Sequence, residues 1–203
     1  MPSRHAAPSL EIRLLGTPSV SVRGAPLDVD TRRPVAVLAV IATEARPYGR
    51  EELAALLWPE SDDEGARGAL RRMLSVLRGA VGPEALAIDR QRVALVDGGA
   101  FVDVAELDRL GASGDSADLA AAADLARGPF MAGFTLRDSP EFDDWRAARA
   151  AGVERILVTQ GEHPLLVASA GFPPTLTVHD AVTGDVRTEI PEPGLGFSLL
   201  FAP

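Results

Sequence analysis

The chain has 203 residues, 46% of them hydrophobic and 24% charged, with a formal charge of −9 and an isoelectric point near 4.8. That is globular composition, long enough for one domain and part of another. All twenty basic residues are arginine and cysteine is absent, which excludes a phosphate-loop lysine, Schiff-base or lysine general-base chemistry, a thiol nucleophile, a disulfide framework and a thiolate-bound metal. The acidic total argues at first against a nucleic-acid partner.

Residues 1–9 read as a flexible tail. Two short strands at 10–15 and 19–23, joined at Gly16, Thr17 and Pro18, form a hairpin, and Gly24 and Pro26 turn the chain into a further extended piece at 27–29. Asp30 or Thr31 is expected to cap a core helix from about 33 to 45, apolar on most faces through Val35, Val37, Leu38, Val40 and Ile41. After Pro47 and Gly49 a short helix at 50–58 carries Leu53, Leu56 and Leu57 at helical spacing and ends at Pro59. Ser61 and Glu64 fit a capping box for a longer helix at about 63–81, stopped by Gly82 and Pro83. Extended pieces at 85–88 and 93–96 then flank Asp89, Arg90, Gln91 and Arg92 as a second hairpin. Short helix, tight turn, longer helix and hairpin is the order of a winged helix-turn-helix.

Beyond residue 101 the composition turns to alanine and acidic residues. Asp103 and Glu106 suggest a capping box for a helix to about 110, a Gly/Ser linker at 111–116 leads into an Ala-rich helix at 117–126, and Ser139 with Pro140 signals the start of a helix to about 156. After a seam near 157–163 the pattern is of short strands at 165–169, 175–178, 186–190 and 197–201.

At 100° per residue, the helix at 63–81 places Ala69, Leu70, Met73, Leu74, Val76, Leu77, Ala80 and Val81 on one broad side. Gly68, Arg71, Arg72 and Ser75 lie on the other, with Arg67 and Arg78 at its edge. Arginines on the exposed face of the second helix of a helix-turn-helix reach base edges or phosphates, and small residues beside them allow close entry to the major groove. Arg90 and Arg92 in the following hairpin are placed to touch an adjacent phosphate track or minor groove. The plainer reading of the same helix is an amphipathic element with a solvated basic face.

Three stretches carry a specific resemblance: Leu14-Leu15-Gly16, Glu51-Glu52-Leu53-Ala54 to Leu57-Trp58-Pro59, and Leu70-Arg71 through Leu74-Ser75-Val76-Leu77-Arg78. On these, residues 10–100 resemble the OmpR-type winged-helix DNA-binding domain of the SARP class of bacterial activators. Val102-Asp103-Val104, Gly128-Pro129-Phe130-Met131-Ala132-Gly133-Phe134 and Ser139-Pro140-Glu141-Phe142-Asp143-Asp144-Trp145 make residues 101–157 similar to the opening of the bacterial transcriptional activation domain of that class. From about Gly161 the tail, 158–203, resembles one WD-repeat propeller blade, with His179-Asp180 where Trp-Asp is usual. The resulting expectation is an α+β chain: a winged helix, a partial all-α tetratricopeptide-like segment, and a short β-rich blade-like tail, as if the middle of a longer regulator were missing.

The resemblance implies binding to double-stranded promoter DNA, self-association on direct repeats and contact with RNA polymerase. It puts DNA contacts on Arg67, Arg71, Arg72, Ser75 and Arg78 of the recognition helix and on Arg90 and Arg92 of the wing. Val76 and Gly79 stand where such helices often carry arginine, so a single protomer should bind DNA weakly and with a lower salt slope. The alternative is a truncated interaction module with little or no DNA binding.

Other chemistry finds no support in the residues. His5, His163 and His179 are too scattered for a metal site, and the acidic run Glu60, Asp62, Asp63, Glu64 lacks the alternation of a calcium loop and suits a helix start. No nucleophile elbow, glycine phosphate cradle or supported carboxylate pair is present, so neither an enzyme nor a cofactor is expected. With nine residues before the first strand, no receiver domain is expected ahead of the winged helix, and no phosphorelay regulation within this chain. The longest apolar run, 35–42, is far short of the roughly 20 residues of a membrane span, and Glu11, Asp28 and Asp30 interrupt any signal peptide. A soluble, cytoplasmic protein with no membrane contact is expected. The acidic total also divides unevenly: residues 1–100 hold 13 arginines against 13 acidic residues, and 101–203 hold 7 against 16. The first half is neutral overall.

Overall fold

The computed structural model describes residues 9–28, 32–44, 46–111, 116–125 and 127–152, with the backbone of four later strands. In chain order the elements are β1 (Leu10–Arg13), β2 (Ser19–Val22), β3 (Ala25–Pro26), α1 (Arg33–Thr43), β4 (Tyr48–Gly49), α2 (Arg50–Leu57), α3 (Asp63–Val81), β5 (Leu86–Ile88), β6 (Arg92–Leu95) and β7 (Ala100–Val102). Then follow α4 (Asp103–Gly111), α5 (Ser116–Leu125), α6 (Pro140–Gly152), β8 (Leu157–Val158), β9 (Leu165–Ala170), β10 (Thr175–Asp180) and β11 (Val186–Pro191). The architecture is α+β. Expected features at 1–8, 112–115, 153–156 and 197–201, and the cap candidates Asp30 and Thr31, lie outside the described residues.

Period-two alternation builds the first sheet. In β1, Leu10 and Ile12 are fully buried, while Glu11 and Arg13 face outward and pair with each other. The sheet order is β3-β2-β1-β7, with β1 antiparallel to β2 and parallel to β7. The third extended piece, expected at 27–29, is instead β3 at Ala25–Pro26, because its backbone pairs with Ser21 and Val22 of β2.

α1 is apolar all round and correspondingly buried, with Ala36 through Val40 wholly shielded. Its N-cap is Arg32, which makes no side-chain capping bond. That guanidinium instead donates to the Thr135 carbonyl at 3.2 Å and lies 5.0 Å over the Phe134 ring. α1 packs on β1, β6 and α2; α2 packs on α3; and β4, β6 and β5 form a second sheet in that order.

α3 departs from the sequence expectation at two points. Its cap is Asp62, whose carboxylate accepts from Gly65 N at 2.8 Å, rather than a Ser61–Glu64 box. Its buried stripe is Ala66, Leu70, Leu74, Leu77 and Val81, so Ala80 is exposed and Val76 is 60% exposed. Val76 sits about 120° around the helix from the centre of that stripe. Angular position, not apolar character, decides which residues reach the core.

Two further expected caps have long-range partners instead. Asp103, the first residue of α4, is fully buried and accepts from the backbone N–H groups of Leu14 and Leu15 at 2.8–2.9 Å, tying α4 to the end of β1. Glu106 bonds Arg109. Ser139 is also buried, and its hydroxyl donates to the Leu56 carbonyl at 2.6 Å, fastening the start of α6 to α2.

The stretch 128–134 runs along the end of β1. Met131 N donates to Leu14 O at 2.7 Å, Gly16 N to Pro129 O at 3.0 Å and Ala132 N to Gly16 O at 2.8 Å. Gly16 has φ +92°, and a Cβ on Gly128 would lie 3.2 Å from the Gly16 Cα, so two backbones meet where side chains would not fit. Phe130, Met131, Phe134 and Phe142 consequently join the same apolar cluster as Leu14, Leu38 and Leu57, and the packing crosses residue 100 without a break. Farther on, β8 to β11 form an antiparallel meander with a bulge at Val178 and His179.

Candidate nucleic-acid interface

Every residue expected to contact DNA is exposed: Arg67, Arg71, Arg72, Ser75 and Arg78 on α3, Arg90 in the β5–β6 turn and Arg92 at the start of β6. Arg67, Arg71 and Arg90 are brought together around a groove of about 650 Å³ between the start of α2, the first half of α3 and the hairpin turn. Arg72, Ser75, Arg78 and Arg92 lie outside that groove. Arg72 arches back over Gly68, its Nη1 3.6 Å from where a Cβ there would stand. Arg78 occupies the last turn of α3, where a cation also complements the helix dipole.

Arg50 completes the groove and was not singled out from the sequence. Its backbone N–H donates to Gln91 O at 2.8 Å and its guanidinium to Asp89 O at 2.9 Å, so the hairpin turn is bolted to the start of α2. A signal was present: arginine as the first residue of a helix opposes the macrodipole, and Glu51 and Glu52 follow it as the dipole prefers. A cation in that place asks for an external partner.

The arginines of this surface are without ion pairs, as Arg137 and Arg146 also are elsewhere among the described residues. Among the described residues, Arg13, Arg23, Arg46, Arg109 and Arg127 face carboxylates within ion-pair distance, and Arg32, Arg33 and Arg149 donate to carbonyls. None of Arg67, Arg71, Arg72, Arg78, Arg90 and Arg92 has an ion-pair partner there. Glu51, Glu52 and Glu64 also line the groove, so its field is mixed at the starts of α2 and α3 and positive toward Arg67 and Arg71 farther along α3 and Arg90 in the turn.

The turn itself depends on Asp89. Its carboxylate accepts from Gln91 N and Arg92 N, each at 2.7 Å, and those two bonds, Gln91 first, hold its pKa below the ordinary aspartate value. A depressed folded-state pKa means the turn gains stability above the unfolded-state value and loses it as pH falls through the lower, folded one. In an NMR titration the Gln91 and Arg92 amides should therefore keep their shifts through the usual aspartate range and move together only below it. Asp89→Ala should abolish that step, and a step at the normal aspartate pKa would contradict the arrangement.

No group of three His, Cys, Asp or Glu placed to hold a metal occurs among the described residues, and no described helix is long and apolar enough to cross a membrane.

No family model and no curated protein matches the chain. A solved structure does: Mycobacterium tuberculosis EmbR in complex with a low-affinity phosphopeptide superimposes with a TM-score of 0.53 and 26% identity. The fold is SARP-like. The alignment covers 70% of this chain and 41% of EmbR, so the chain spans well under half the length of that SARP-family regulator. The basic surface on α3 and the β5–β6 turn thus belongs to a SARP-like fold in which 127–145 packs on the helix-turn-helix core through Phe130, Phe134 and Phe142.

Proposed function

We propose that this chain is a non-enzymatic, cytoplasmic, DNA-binding transcriptional regulator that lays α3 in the major groove of promoter DNA and uses the β5–β6 hairpin as its wing. The observation that carries this reading is the clustering of six exposed arginines on α3 and the hairpin, none within ion-pair distance of a carboxylate, in a half of the chain whose net charge is zero. Phosphates would supply the missing anions. The surplus acid lies beyond residue 100, where DNA repels it, and this orients the basic surface toward the duplex. On this reading α4 to α6 form the opening of an activation segment offered to RNA polymerase, protomers sit side by side on direct repeats, and the β8–β11 meander is a blade-like module.

A gel-shift titration of the full chain on duplex DNA from upstream of its own coding region tests this at two salt concentrations, against Arg71→Ala combined with Arg78→Ala. Each lost contact should weaken binding by about 1–3 kcal/mol and lower the salt slope by about 1. Equal affinity and equal slope for wild type and double variant would remove α3 as the DNA-reading element.

A further inference from the structure

Among the described residues Val76 is the exposed large hydrophobic side chain, 60% accessible, and it stands where the apolar rim of α3, Ala69, Met73 and Ala80, meets the exposed face that carries Arg72. It lies one turn after Arg72, beside Ser75 and Gly79, and one turn before Ala80. A β-branched residue is a mediocre helix former, and at 60% accessibility this one leaves most of its apolar surface in water. Its neighbours Ser75 and Gly79 are short, so a surface laid against this face would meet the valine methyls directly.

We infer that Val76 is a specificity-determining residue that reads the 5-methyl group of a thymine in the major groove. The inference rests on the proposed docking of α3. The major-groove edge of a base pair offers one apolar group, the thymine methyl, and an aliphatic side chain is its natural partner. An arginine here would add a phosphate or guanine contact. Valine exchanges that for discrimination of T·A from C·G without charge, so the weaker electrostatics of this helix come with a different sequence preference. Ser75 and Arg72 flank the methyl-reading position with polar and cationic contacts to neighbouring bases or phosphates.

The test starts from duplexes selected by the wild-type full chain out of a pool with a randomised core. Each thymine of the selected site is then replaced singly by deoxyuridine, which lacks only the methyl. Wild type should lose about fourfold in affinity at one thymine per protomer, the effect expected for burying one methyl group. Val76→Ala should be indifferent at that thymine and retain the arginine-dependent salt slope. Placing 5-methylcytosine rather than cytosine at the same position should restore part of the wild-type affinity only. Because the side chain is exposed, V76A should unfold as wild type does, so the comparison is one of recognition. Specific binding with the same deoxyuridine profile for both proteins overturns the assignment while leaving DNA binding intact. Self-association of wild type that V76A abolishes, with an unchanged profile, overturns it in favour of a protomer contact. Failure to select any duplex overturns this inference together with the DNA-binding reading.

Discussion

Phe142→Ala should lower the unfolding free energy by about 3–5 kcal/mol, read as a shift in urea midpoint. Phe142 is fully buried, 5.9 Å ring to ring from Phe134 and 5.3 Å from Trp145, which itself stands edge-on to Phe130 at 6.2 Å. This aromatic group sits between α6 and the helices of the head, residues 10–100, where Ser139 bonds the Leu56 carbonyl of α2. Removing the ring leaves a cavity lined by two other rings held from different elements, so collapse around it is restricted. Phe142→Leu, which refills most of the space, should cost much less. The chain's two tryptophans provide an internal check. Trp58 lies at the end of α2 beneath Arg33, and Trp145 on α6. Single-tryptophan variants should report one coincident transition, both moving with Phe142→Ala. Separate transitions, with only the Trp145 signal shifted, would mean the head does not depend on α6. If α3 reads DNA as proposed, then because α2 also carries Arg50 and supports α3, the destabilised variant should bind DNA less well near its own melting temperature and normally well below it.

Much of the head was legible because the residues that define it speak locally. The stripe at Leu70, Leu74, Leu77 and Val81, the all-round apolar Ala36 to Val40 and the turn at Asp89 each state their element within a few residues. β4 and β7 do not. They are two and three residues long, and each exists only because a partner distant in sequence completes its ladder: Val93 opposite Tyr48, and Leu10 opposite Ala100. The same cause explains the misread caps. Asp103 and Ser139 are chemically able to cap the helices they begin, and a local reading assigns them so. The fold presents Leu14 N, Leu15 N and Leu56 O to them instead. At the candidate interface the arginines of α3 were legible from spacing, whereas Arg50 needed knowledge that the hairpin turn returns to the start of α2. Val76 was placed on the broad apolar side of α3 with Ala69, Met73 and Ala80 by its spacing at 100° per residue. Its exposure became visible only when the buried stripe fixed the helix's rotation about its own axis.

Asp103→Ala should cost about 3 kcal/mol, because it strands two buried backbone donors that no water replaces without rearrangement. Leu14 N meets both carboxylate oxygens, at 2.8 and 2.9 Å, and Leu15 N meets one of them at 2.9 Å. Arg127 stands 3.6 Å from that shared oxygen, its side chain 42% exposed and therefore a weak contributor beside the two amides. Asparagine discriminates between these roles. With its amide oxygen in the shared position it still accepts from Leu14 and Leu15, while its NH₂ group faces Leu14 N, so its cost should fall at about half that of alanine. Hydrogen exchange at Leu14 and Leu15 should accelerate strongly in Asp103→Ala and mildly in Asp103→Asn. Arg127→Met alone should lie within about 1 kcal/mol of wild type, and combined with Asp103→Asn it should add almost nothing. If Asn cost as much as Ala while Arg127→Met were equally damaging, the ion pair and not the backbone acceptor would be what joins α4 to β1. The joint also carries Met131 N on Leu14 O, so loss of the carboxylate should loosen 128–134 against the sheet before α3 is affected. On the proposed DNA-binding function, affinity at low temperature should then survive Asp103→Ala, even as the contact of α4 and 128–134 with β1 weakens.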